Sequence, residues 1–209
     1  MKKNIIFDFD GTIVDSRDLV IHLYNEIAER NNFKKINKAD IKSLSGMPII
    51  ERCKALNVPL YKIPTLVFEG KKNYKNFLHS LTVKDGIIDV LHKLKENGFR
   101  LGIISSNAKS TIKEILEKNS LDIFDDIYSA KGIFGKHHTI NGFAKKFNLN
   151  KEEILYIGDE VRDIISCKKS GVKILAVTWG YDSPELLLES NPEYITNNPA
   201  EIIDIVCKF

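Results

Sequence analysis

The sequence predicts an α/β fold, a doubly wound parallel sheet with an all-helical block inserted after its first strand. Three observations predict it. Short apolar runs such as Ile5-Ile6-Phe7 and Ile154-Leu155-Tyr156-Ile157 end at polar or glycine-rich turns. From residue 84 onward such runs alternate with amphipathic helical patterns, and that alternation buries both faces of a parallel sheet. Residues 16–80, between the first run and the rest, carry helical spacing and no strand-like alternation.

The elements follow in order. Ile5-Ile6-Phe7 reads as a buried strand that stops at Asp8. Ser16 is the expected N-cap of a helix over 17–30, with Val20, Leu23, Tyr24 and Ile27 on its apolar face. Helical patterns near 38–45, 48–56 and 65–80 are separated by Gly46-Met47-Pro48 and by Pro59 and Pro64. A helix over 87–96 closes at Gly98, and Phe99–Ile104 is a strand reaching Ser105. Next come a helix over 109–118, a short strand at Ile127-Tyr128 and a helix over 138–147 preceded by a loop, Phe134-Gly135-Lys136. The strand 154–157, a helix over 161–169, the strand 172–177 and helices near 184–190 and 199–206 complete the chain.

Composition narrows the function. The 209 residues include 31 Lys+Arg against 28 Asp+Glu, a net charge of +3, which is too small to argue for nucleic acid as a partner. Hydrophobic residues make up 43%, enough to bury a core. The charge is uneven: 15–80 holds 12 Lys+Arg and 7 Asp+Glu, the remainder 19 and 21, so the helical block is the basic part; most of its lysines read as a solvated surface, and the sharper reading is a face turned to an anionic substrate. Cys53, Cys167 and Cys207 show no CxxC spacing and form no disulfide framework. No apolar stretch approaches the ~18 residues of a membrane span, and the N-terminal run is too short for a signal peptide. The expectation is a cytoplasmic protein with reduced thiols and no membrane partner, its oligomeric state left open between monomer and weak dimer.

In an open α/β sheet, ligands bind beyond the carboxyl ends of the strands. The first run is followed by Asp8-Phe9-Asp10-Gly11-Thr12, the second by Ser105-Ser106-Asn107 and the fourth by Gly158-Asp159-Glu160, with Asp163 four residues after Asp159. Clustered carboxylates repel one another unless a cation joins them. A hard, oxygen-liganded ion such as Mg²⁺ suits Asp8, Asp159 and a backbone carbonyl. Gly11 lets the chain pass close to a ligand. Ser105 and Lys136 supply donors and positive charge for phosphoryl oxygens. His137-His138 lacks a third ligand spaced for zinc and reads as an exposed helix start. Trp179 reads as packing or a loop anchor, with a place at the border of the cleft as the alternative, and Cys167 as core.

Four segments together, DFDGT at 8–12, IISS at 103–106, Lys136 and GDEVRD at 158–163, resemble the haloacid dehalogenase-like hydrolase superfamily along essentially the whole chain. The helical block resembles the small cap of its phosphoglycolate phosphatase-like and β-phosphoglucomutase-like branch. The resemblance implies a Rossmann-like catalytic core at 1–15 and 81–209 and a helical cap at 16–80. It implies Asp8 as nucleophile and Asp10 as general acid and base. Ser105, Ser106, Asn107 and Lys136 would bind the phosphoryl group, with Ser105 as the side-chain hydroxyl and Ser106 as a backbone donor, or the reverse after a one-residue shift. Mg²⁺ would be held by Asp8, the Asp10 carbonyl and Asp159. Asp163 would orient a metal water or Lys136, with Glu160 as the alternative, and Gly11 and Thr12 would shape the loop. Arg52 or Lys54 would meet a substrate carboxylate.

The implied activity is a Mg²⁺-dependent phosphatase acting on a small phosphorylated metabolite, phosphoglycolate among the candidates. The alternatives are a phosphomutase on the same fold, separated by release of free phosphate, and a non-enzymatic receiver-like switch, separated by a stable phospho-Asp8.

Overall fold

The computed structural model describes residues 3–130, 132 and 135–209. Phe134 of the expected loop, and Met1 and Lys2, lie outside them. Six parallel strands form one sheet: β1 (Asn4–Phe7), β4 (Arg100–Ser105), β5 (Asp126–Ser129), β6 (Ile154–Gly158), β7 (Lys173–Val177) and β8 (Tyr194–Thr196). Their spatial order is β5-β4-β1-β6-β7-β8, which puts β1 inside the sheet.

Alternation along each strand builds two apolar layers. Ile5, Phe7, Leu101, Ile103, Leu155, Ile157, Leu175 and Val177 enter one core. Ile6, Ile104, Ile154, Tyr156, Ile174 and Ala176 enter the other, where Cys167 also packs. The helices that cover these faces are α5 (Ile87–Glu96), α6 (Lys109–Lys118), α7 (Lys136–Lys146), α8 (Val161–Ser170), α9 (Pro184–Glu189) and α10 (Glu201–Lys208). Register then sets the edge where chemistry collects. Phe7 sits opposite both Ile103 and Ile157, so Asp8 stands level with Ile104 and Gly158, and Ser105 follows one residue further along the same edge.

The block between the first two sheet strands holds α1 (Arg17–Asn31), α2 (Lys38–Ser45), α3 (Ile49–Ala55) and α4 (Ile63–Tyr74), followed by 3₁₀ turns over Lys75–Ser80. It has a small apolar cluster of its own around Leu44, Leu56 and Val58. No helix among the described residues is long and apolar enough to cross a membrane.

Several expectations are corrected. The helical pattern over 65–80 breaks at Phe77, whose backbone is non-helical. A two-stranded antiparallel ladder, β2 (Val14–Asp15) with β3 (Thr82–Val83), joins the two ends of the block, and each strand is too short to show a period. The edge strand β8 was likewise absent from the sequence pattern. Ser16 does not cap α1: its hydroxyl is hydrogen-bonded to the Tyr181 hydroxyl at 2.7 Å. The face that α1 buries is Leu19, Leu23, Ile27 and Ala28, with Val20 38% exposed. Lys136 is not in a loop but is the first residue of α7, two positions before the expected helix start.

Candidate active site

Asp8 extends the β1 ladder by one bond, its N–H donating to Ile157 O at 2.8 Å. One carboxylate oxygen accepts from the Phe9 N–H at 2.7 Å. The chain then turns at Gly11, where φ is +76° and a Cβ would lie 2.3 Å from Asp159 Oδ2. Both facts require glycine there. The Thr12 hydroxyl donates to Asp159 Oδ1 at 2.9 Å, and the Trp179 indole donates to Thr12 O at 3.1 Å. Trp179 is therefore the loop anchor the sequence suggested.

Lys136 is 1% exposed, and its ammonium lies 2.6 Å from both Asp8 Oδ2 and Asp163 Oδ1. Burial pulls its pKa down, but the carboxylates of Asp163 and Asp8 outweigh it and hold the amine above its ordinary value. Arg162 pairs with Glu160, its Nε 2.6 Å from Oε2. Lys136 and Arg162 thus stand among the carboxylates of Asp8, Glu160 and Asp163, with Asp159 beside them. Burial, reinforced by Glu160, Asp8 and Asp163, pushes the Asp159 carboxyl far up from the usual range. Burial raises the Asp163 carboxyl too, with Asp8 and Glu160 adding to it against Lys136.

These residues fit a divalent cation. Asp8, Glu160 and Asp163 each offer an oxygen within 4.8 Å of the others, and Asp163 Oδ2 is buried with no hydrogen-bond partner. An all-oxygen donor set suits a hard ion. The gathered trio differs from the expected pair of Asp8 and Asp159. The Asp159 oxygens are taken by the Thr12 hydroxyl and by the Tyr181 N–H at 2.7 Å.

Asp10 faces the helical block. The Tyr74 hydroxyl donates to its Oδ1 and Asn107 Nδ2 to its Oδ2 at 3.1 Å. Burial raises the Asp10 carboxyl, and Asp8 adds to that, while the Tyr74 and Asn107 bonds oppose it. Ser105 Oγ accepts the Asn107 N–H at 3.1 Å, whereas Ser106 Oγ is buried without a partner. Ser106, Asn107 and Asp10 line one cavity of about 350 Å³ between core and helical block. Lys71 reaches the same cavity, its amine lowered by burial and by Arg162.

All the residues singled out in the four segments thus converge at one sheet edge. Arg52 enters an ion pair with Asp182 and donates its Nε to Leu44 O at 2.7 Å, so it ties the block to the core. Tyr74, Tyr181 and Gly180 were missed. A Cβ at Gly180 would lie 2.0 Å from Asp159 Oδ2, a constraint with no local signature. Arg162 stands within the GDEVRD segment and was findable there. His138 is exposed and His137 half-buried, both in the first turn of α7.

The parallel sheet, the strand-end carboxylates and the buried lysine place the chain in the doubly wound α/β class with its site at the carboxyl edge. The sequence model of the haloacid dehalogenase-like hydrolase family matches residues 5–177, and the chain belongs to that family. A phosphoglycolate phosphatase of Synechococcus elongatus is 27% identical over 209 residues, covering 98% of this chain and 97% of the relative. Pyrophosphatase PpaX of Halalkalibacterium halodurans is 24% identical over 97% of this chain and 95% of its own length. Among solved structures, a predicted phosphatase from Clostridium acetobutylicum superposes with a TM-score of 0.83 at 25% identity over 100% of both chains. A haloacid dehalogenase-like protein from Streptococcus pneumoniae gives 0.81 at 24% over 98% of both, which speaks to the fold alone.

Proposed function

We propose that this hydrolase is a phosphatase that cleaves a small phosphate monoester through a phosphorylated Asp8. The observation that carries the reading is the buried Asp8–Lys136–Asp163 bridge, with Asp10, two residues from Asp8, lining the cavity. We take 1–15 and 81–209 as the catalytic core and 16–80 as a cap over it.

In this reading an Asp8 oxygen attacks phosphorus while the bond from phosphorus to the leaving oxygen breaks. Lys136 holds the carboxylate in place and offsets charge on the phosphoryl oxygens. Ser106, whose hydroxyl has no protein partner, donates to one of those oxygens. Asp10, whose carboxyl burial raises above its ordinary value, gives a proton to the departing alkoxide. It then takes a proton from the water that attacks phospho-Asp8, and the second displacement releases phosphate. Mg²⁺ would be held by Asp8, Glu160 and Asp163, with Asp159 and the Asp10 carbonyl added by the family resemblance. When bound, it neutralises the negative charge this pocket concentrates.

The relatives put phosphoglycolate and pyrophosphate on the test panel beside simple esters. Purified protein with Mg²⁺ is expected to release inorganic phosphate from at least one of them, and Asp8→Asn to release none. Phosphate release at an unchanged rate from Asp8→Asn would end the nucleophile assignment.

A further inference from the structure

We infer that the substrate's leaving group is an apolar alcohol, seated in a cavity that runs from the phosphoryl site into the helical block. The inference rests on the phosphatase reading and names its substrate class.

The cavity that holds Asp10, Ser106 and Asn107 at one end is walled at the other by Leu23 and Ile27 of α1 and Leu66 and Val67 of α4. A second cavity, about 240 Å³, lies deeper among the helices and is lined almost wholly by apolar groups. The two share walls, including Val20, Tyr24, Ile49, Leu66 and Val67. An apolar cavity of about 150 Å³ already holds a benzene molecule, so the deeper space takes a chain or ring of several carbons.

The polar groups of the shared wall are committed elsewhere. The Tyr24 hydroxyl donates to Lys34 O at 2.8 Å, leaving its ring as lining. The Tyr181 hydroxyl is bonded to Ser16. Arg52 is engaged by Asp182 and by Leu44 O. Lys71 and Arg162 line the first cavity and not the second, so their charge stays with the phosphoryl end. Arg17, half-buried at the start of α1, is the other cation on the deeper wall, and a chain ending in a carboxylate is therefore the counter-case. Burying that carboxylate among these side chains costs far more than burying a methyl group. A two-carbon acid such as glycolate would leave the deeper cavity unused.

The test is a chain-length series. Phosphate release with Mg²⁺ is measured for methyl, butyl and hexyl phosphate, for phosphoglycolate, for pyrophosphate and for a hexyl phosphate bearing a terminal carboxylate. The expected kcat/KM rises about fourfold per methylene along the first three. Leu66→Trp, which fills the shared wall, is expected to bring the hexyl-to-methyl ratio towards one. A flat series with active enzyme overturns the inference and leaves the phosphatase reading intact. So does a preference for phosphoglycolate, pyrophosphate or the carboxylate-ended ester. If no ester is cleaved, the phosphatase reading fails instead. Calorimetric titration with methylphosphonate and hexylphosphonate then decides the cavity: tighter hexyl binding supports it and equal affinity overturns it.

Discussion

Tyr74, the last residue of α4, donates its hydroxyl to Asp10, three residues beyond the end of β1. With Asn107 on the other oxygen, the Asp10 carboxyl is held between the helical block and the strand-end turn after β4. The block therefore touches the proposed proton donor directly, and the position of α4 bears on catalysis.

Tyr74→Phe removes that hold while keeping the ring. Hydrolysis of an alkyl phosphate, whose leaving oxygen needs a proton, is expected to slow about tenfold, within the range general acid catalysis supplies. With p-nitrophenyl phosphate, whose leaving group needs no proton, the loss should stay under about twofold. Steady-state kinetics with both esters reads the difference, and equal slowing would show Tyr74 to be a packing residue only.

Asp8→Asn is expected to lower turnover by about 10⁴-fold or more, since an amide is no substitute for the nucleophile. Lys136 keeps Asp163 as a partner, so the variant should fold. Circular dichroism and single-turnover phosphate release are the checks, and a folded variant with near-normal turnover would exclude Asp8.

Stability should depend on pH and metal together. Burial, with Asp8 and Glu160 adding charge, pushes the Asp163 carboxyl up to about 7. A raised carboxyl contributes stability that is complete below the ordinary aspartate value of about 4 and is lost as pH rises through about 7. Metal-free protein should therefore melt lower at pH 8 than at pH 5.5. Mg²⁺ should raise the melting temperature more at pH 8, where the carboxylates are ionised and bind it. Thermal scans with EDTA and with Mg²⁺ at both values measure this. A larger Mg²⁺ effect at pH 5.5, or none at either, would count against the carboxylate cluster as a cation site.

Two glycines should respond in opposite directions to alanine. At Gly180 a Cβ would overlap Asp159, so Gly180→Ala should cost about 1–3 kcal/mol, several degrees of melting temperature, and most activity. At Gly142, inside α7, a Cβ meets nothing within 4 Å. Gly142→Ala should add about 0.5–1 kcal/mol and leave activity alone. Calorimetry and phosphate release test the pair, and equal responses would mean that the close approach at Asp159 is relaxed in solution.

Much of the site was legible in the sequence because its residues follow apolar runs directly. α5 and α6 occupy the expected ranges, 87–96 and 109–118, since each carries several apolar turns. Asp8, Ser105 and Asp159 could be placed at one edge because parallel strands of similar length end together. The ladder of β2 with β3 and the edge strand β8 have two or three residues each, too few for a periodic signal. Ser16 has the chemistry of a cap, but the Tyr181 hydroxyl competes for it across 165 positions.

By itself the sequence determined the doubly wound sheet, the helical insertion and the group of residues at the strand ends. Local periodicity and the residue after each strand are properties of neighbouring positions. Only the tertiary structure decided that Tyr74 meets Asp10, that Ser106 rather than Ser105 faces the cavity, that Arg52 is spent on Asp182 and that the helical block encloses an apolar space. The partners in those contacts are far apart in the chain or differ by the rotation of one residue. What brings them together is the packing of whole helices against the sheet edge, which no local pattern encodes.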